Sequence, residues 1–130
     1  MAVGGNPQRG VYEPHIEIYS PPYLFTAAGG LANRPSIASA PPTARYGAAF
    51  DVRTPDAANI KSVVLVRAGA VTHAFDMEQR LVELSFKNAA GVLHVTAPAK
   101  GNIAPPGYYL LFILNAEGVP SVAHFVQLLP

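Results

Sequence analysis

The chain has 130 residues and no cysteine. That length suits one domain with a core of its own, and the missing thiols exclude disulfides, thiolate nucleophiles and cysteine-based metal sites. Charged residues are 13% of the total and the net charge is +1, too sparse and too scattered for the basic stripe that nucleic-acid binding requires. Apolar residues reach 50%, yet the longest run, YYLLFIL, has the length of a buried strand and falls well short of the roughly 18 residues that suggest a membrane span.

The opening MAVGGNPQRG has no apolar stretch of the kind a secretory signal carries. Beyond it, 13 prolines and 11 glycines cut the chain into short apolar pieces, and no window keeps a helical period over three turns. The reading is all-β. The first strand is expected over residues 15–20, HIEIYS, with Ile16 and Ile18 on one face and His15, Glu17 and Tyr19 on the other. The prolines of SPPYLF end it. A loop follows, then a short strand near residues 35–38 and a turn at APPT. RYGAAFDVR, residues 45–53, reads as one strand and TPDAAN as a loop. IKSVVLVRAG, residues 60–69, is strongly β-prone through Val63, Val64, Leu65 and Val66. In RLVELSFKN, Val82, Leu84 and Phe86 point one way, and Leu81, Glu83, Ser85 and Lys87 the other. VLHVTAP turns Leu93 and Val95 inward. After the loop KGNIAPPG, YYLLFILN reads as a central strand too apolar to have a wet face. AEGVPS connects it to the closing strand, VAHFVQLL.

About seven to nine short strands with no helix of consequence point to an immunoglobulin-like β-sandwich, with a barrel as the alternative. APPGYYLLF strengthens the sandwich reading. It places Pro-Pro-Gly at a corner and Tyr108 or Tyr109 at the start of the most buried strand, where a tyrosine-corner hydroxyl would bond back to the preceding backbone.

The sequence holds no nucleophile elbow, phosphate-cradling glycine loop, HExxH or paired-carboxylate motif, so no catalytic residue is assigned. Its four histidines are the candidates for chemistry. No two lie within four residues of each other, so none forms a metal pair by spacing. His15 reads as a surface histidine, His94 and His124 as packed or edge imidazoles within strands. His73 differs. It sits in AGAVTHAFDMEQR, residues 68–80, a connection longer than a hairpin turn needs. Val71 and Phe75 beside it would each gain about 1.5–3 kcal/mol from burial, so this finger is expected to dock against something. Asp76, Glu78, Gln79 and Arg80 are placed to pin its base. One imidazole cannot hold copper(II) alone, since that ion takes three or four N/O donors in a tetragonal arrangement.

IEIYSPPYLF, LANRPSI, VVLVRAGAVTHAFDMEQRLVELSF and PPGYYLLFILNAEGVPSVAHFVQL occur in order from Ile16 to nearly the end of the chain. Together they resemble the C-terminal domain of the galactose oxidase and glyoxal oxidase family, the copper radical oxidases. The resemblance implies an early-set type of immunoglobulin-like sandwich that follows a kelch propeller. One hairpin of the sandwich would reach into the propeller and donate a histidine to a mononuclear copper; by resemblance that metal ligand is His73. The family's other ligands, two tyrosines and a second histidine, and the cysteine cross-linked to one tyrosine, belong to the propeller. None is carried over, and Tyr12, Tyr19, Tyr23, Tyr46, Tyr108 and Tyr109 read as sandwich tyrosines. VGGNP resembles what remains of a propeller blade. Residues 1–14 are therefore expected to be the end of the last propeller strand or a linker, residues 15–130 the sandwich, and the chain a piece of a longer, secreted or extracytoplasmic protein.

The resemblance implies that the parent is a copper-dependent alcohol or aldehyde oxidase forming hydrogen peroxide. The partner of this chain would be the propeller, and the isolated chain would bind no copper of its own and have no activity. The competing expectation is a structural or carbohydrate-binding sandwich of a secreted protein. Against it stands the absence of tryptophan, with only Tyr19, Tyr23 and Phe25 clustered near a bend.

Overall fold

A computed structural model of the chain describes residues 2–3, 8–11, 14–73 and 75–130. Gly4, Gly5, Asn6 and Pro7 of the VGGNP segment and Tyr12 lie outside them. The chain divides into two compact units, Met1–Ala32 and Asn33–Pro130.

In the first unit, β1 (Ala2–Val3) pairs antiparallel with β2 (Ile16–Glu17). A single turn of 3-10 helix, Pro22–Leu24, follows; proline suits its start because the first N–H of a helix has no internal partner anyway. The strand expected over residues 15–20 is thus only two residues long. Its alternation has no buried side, since Ile16 and Ile18 are both exposed.

The second unit carries β3 (Thr43–Arg45), β4 (Ala49–Arg53), β5 (Ile60–Arg67), β6 (Val71–Thr72), β7 (Phe75–Asp76), β8 (Leu81–Leu84), β9 (Phe86–Ala89), β10 (Val92–Thr96), β11 (Gly107–Asn115) and β12 (His124–Leu129). Eight of these form the sandwich: one sheet in the order β4-β10-β9, the other β3-β12-β11-β5-β8. Every neighbouring pair is antiparallel except β12 with β3. The inward faces meet in one core, with Val52, Leu93 and Val95 from the smaller sheet packed in the same cluster as Leu65, Leu111, Ile113, Val126 and Leu128 from the larger. Each such side chain contributes about 1.5–3 kcal/mol by leaving water, so the sandwich has the means to fold on this core.

The structure changes three expected elements. Residues 35–38 form no strand. Pro35 has no N–H for a ladder, and the Ser36 N–H donates to Asp56 Oδ2 at 2.9 Å, leaving Ser39 to make a single bridge to Arg53. Residues 45–53 are two strands in different sheets. Gly47, at φ 67°, supplies the left-handed turn that carries the chain from β3 across the sandwich to β4, a conformation costly for residues with a Cβ. RLVELSFKN also changes sheet, at Ser85, between β8 and β9. Its side-chain alternation survives, with Val82 and Leu84 buried and Phe86 half-buried. β11 is central as expected, but only its Tyr109, Leu111 and Ile113 face is buried; Leu110, Phe112 and Leu114 remain half-exposed.

Candidate functional site

β5 and β8 are antiparallel neighbours, with Val66 opposite Leu81, and the chain between them leaves the sheet and returns to it. The Arg67 N–H donates to the Arg80 carbonyl at 2.9 Å, closing the stem. Beyond that point β6 and β7 pair only with each other, Val71 opposite Asp76 and Thr72 opposite Phe75. The result is a two-stranded hairpin independent of both sheets, with His73 the first residue of its turn.

His73 has φ 51°, the only positive φ at a non-glycine among the described residues. Two-residue hairpin turns that match strand twist require positive φ at their first central position. Histidine enters this region more readily than most side chains, but glycine or asparagine would do so at lower cost. Turn geometry alone therefore does not account for an imidazole here. The ring is exposed, and its Nδ1 lies 2.9 Å from Thr72 Oγ1. Around it Val71, Phe75 and Met77 are 73%, 69% and 81% exposed, so the gain available from burying them is not realised in this chain.

The stem is held by polar contacts. Arg67, the last residue of β5, forms an ion pair with Glu78 in the turn between β7 and β8. The same guanidinium donates to the Pro105 carbonyl at 3.1 Å and to the Tyr109 hydroxyl at 3.3 Å, and lies over the Tyr109 ring, 5.6 Å from its centroid. Asp76 Oδ1 accepts from the Glu78 N–H at 3.0 Å, and Arg80 donates to the Ile103 carbonyl at 2.7 Å. A Cβ at Gly69 would meet the Asp76 carboxylate, so a larger residue there would have to displace that side chain. Three of the four residues expected to pin the base, Asp76, Glu78 and Arg80, do make such contacts. Arg67, the hub of the stem, carries no local sequence signal. It ends an apolar strand like any solvated charge, and two of its partners, Pro105 and Tyr109, lie far along the chain.

The other histidines are elsewhere. His15 is exposed in the first unit, and His124 is half-buried at the start of β12. On the smaller sheet, His94 Nδ1 lies 2.7 Å from Asp51 Oδ1 on the adjacent strand. Among the described residues no group of three or more histidine, aspartate, glutamate or cysteine side chains could hold a metal ion. The described tyrosines do not fill the gap. The Tyr46 hydroxyl donates to the Ala104 carbonyl and that of Tyr109 to the Pro105 carbonyl, at 2.8 and 2.7 Å, while Tyr19, Tyr23 and Tyr108 are exposed and remote in sequence from the hairpin. As a donor set the hairpin offers a single imidazole, fewer than the three or four N/O donors a copper(II) site needs.

A family model described as galactose oxidase-like, early set domain matches residues 34–128. The chain is 40% identical over 127 residues to an aldehyde oxidase, GLOX, of Vitis pseudoreticulata, covering 91% of this chain and 24% of that protein. It is 33% identical over 113 residues to a galactose oxidase of Gibberella zeae, covering 85% of this chain and 16% of that protein. Among solved structures, a fungal alcohol oxidase in complex with copper superposes with a TM-score of 0.79 at 36% identity, over 85% of this chain and 24% of that one. The chain thus spans about a quarter or less of each of these three proteins.

Proposed function

The chain belongs to the galactose oxidase-like early-set family, and from that premise we propose that it is the C-terminal sandwich of a copper radical oxidase and lends His73 to a copper site otherwise built by a kelch propeller of the same parent. The observation that carries this reading is the placement of His73. A lone, exposed imidazole is held in the left-handed region at the tip of a hairpin whose apolar flanks have no cover and whose stem is braced by Arg67 and Glu78. A surface loop without a partner needs neither the apolar flanks nor the brace.

In this reading the parent, a secreted enzyme, oxidises a primary alcohol or an aldehyde with dioxygen and releases hydrogen peroxide. Bound copper, with a tyrosyl radical, supplies the one-electron chemistry. The residues of this chain do three things. Val71 and Phe75 pack along the wall of the receiving domain and exclude water. The Arg67–Glu78 brace fixes the direction of the hairpin. His73 offers a neutral ring nitrogen as one ligand.

The test is copper content in a longer protein that includes the upstream domain. His73→Ala should lose copper, and with it peroxide release, while the isolated 130-residue chain should oxidise neither galactose nor glyoxal. Full copper retention in the alanine variant would remove His73 from the centre.

A further inference from the structure

β5 runs from Ile60 to Arg67, and β11 lies antiparallel beside it, with Tyr109 opposite Arg67 and Asn115 opposite Ile60. The hairpin therefore leaves one end of these strands, and the connections before β5 and after β11 lie at the other, about 23 Å away. At that far end is a cavity of about 310 Å³, lined by Asn33, Pro35, Asp56, Asn59 and the Asn115–Glu117 turn. Asp56 and Asn115 are half-buried, and each is held through one atom while another is left over. Asp56 Oδ2 accepts from the Ser36 N–H at 2.9 Å, and the Asp56 N–H donates to Oγ1 of buried Thr54 at 3.1 Å. Its Oδ1 remains as an acceptor. Asn115 Oδ1 accepts from the Val119 N–H at 2.8 Å. A backbone N–H only donates, so the amide orientation is settled and the NH2 group remains as a donor. The side chains of Asn33, Asn59 and Glu117 make no hydrogen bond or ion pair among the described residues.

We propose that this cavity is a binding site for a neutral sugar ring. A hydroxyl both donates and accepts, so neighbouring hydroxyls of one ring answer a fixed acceptor and a fixed donor together, with the exposed amides and Glu117 completing the set at the rim. The volume lies at the small end of the about 300–1,000 Å³ usual for ligand sites and suits a single ring, with buried Pro35 as an apolar wall for its C–H face. Other ligand classes fit less well. Asp56 and Glu117 repel anions, and the guanidinium of Arg34, next to Asn33, is committed to the Pro120 and Ser121 carbonyls. No aromatic side chain lines the cavity to stack on a planar base. The Asn115 NH2 opposes a metal ion, and no group of three or more carboxylate or imidazole side chains among the described residues could hold one. The inference does not depend on His73 being a ligand: a site at this end stays open when the hairpin is covered.

The experiment titrates the 15N-labelled chain with D-glucose, D-galactose and D-xylose and follows the backbone amide shifts. At least one sugar should give saturable shifts confined to residues 33–36, 56–60 and 115–118, with a dissociation constant of about 1–10 mM. Asn59→Ala and Glu117→Ala, both at exposed positions, should each weaken that binding about 3–10-fold with the rest of the spectrum unchanged, while His73→Ala should bind as wild type. Asn115 is left intact because its side chain also closes the turn to Val119. Absence of saturation with all three sugars, shifts scattered over other surfaces, or wild-type affinity in both cavity variants overturns the proposal. So do shifts of the same residues with calcium chloride and none with sugar, which would make the cavity a cation site.

Discussion

Arg67 and Tyr109 share one acceptor: the Pro105 carbonyl oxygen receives the tyrosine hydroxyl at 2.7 Å and the arginine Nη1 at 3.1 Å. The tyrosine corner that pins the entry to β11 is therefore also the anchor of the hairpin stem, because the same arginine pairs with Glu78. The corner thus connects the core to the hairpin.

Tyr109→Phe should uncover this connection. It deletes the hydroxyl that donates to Pro105 and accepts from Arg67, while leaving the buried ring in place. The expected loss is about 1–3 kcal/mol, read as a lower urea midpoint with an unchanged slope. A change smaller than about 0.5 kcal/mol would show that the corner is not contributing to stability.

Glu78→Gln should separate hairpin order from global stability. The Glu78 side chain is 39% exposed, so solvent screens the pair and its loss should cost no more than about 1 kcal/mol. Amide exchange at residues 71–76 should nevertheless accelerate relative to β5 and β11. Equal protection in the variant and the wild type would mean that the brace does not order the finger.

The apolar flanks give a contrasting result. Val71→Ser with Phe75→Ser should leave the unfolding free energy of the isolated chain within about 0.5 kcal/mol, the usual effect of exposed positions. Leu111→Ala in the core should cost about 2–5 kcal/mol. If the receiving domain covers the hairpin, the same double serine variant should lower thermal stability once that domain is present.

Copper specificity among the histidines can be checked in parallel. If His73 is the copper ligand of a longer protein, His15→Ala, His94→Ala and His124→Ala in that protein should keep wild-type copper content, because none of these rings lies on the hairpin. Loss of copper in His94→Ala would point to the Asp51 pair as a second metal locus.

The fold class could be read from alternation and turn residues, and Val82, Leu84, Leu93 and Val95 are inward as the pattern predicts. The tyrosine corner was also legible, though only the structure chooses Tyr109 over Tyr108. The two sheet changes were not. Alternation reports which face a side chain takes, and it runs unbroken through Ser85 while the backbone passes from one sheet to the other. The short pairing of Ile16–Glu17 looks longer in sequence for a related reason, since two isoleucines two residues apart look the same whether or not a layer covers them. At the hairpin, the length of the connection and its misplaced apolar residues were visible. Arg67 was not, because its contacts to Pro105 and Tyr109 join segments that no local pattern relates.

Because β5 and β8 already pair beneath the hairpin, the finger is an outgrowth whose length the core does not dictate. Two residues added to each of its strands would advance the tip by about 7 Å on the same face, whereas one added to each would turn it over. The reach of the hairpin is thus an independently variable dimension of this domain, adjustable in discrete steps without repacking a single inward side chain.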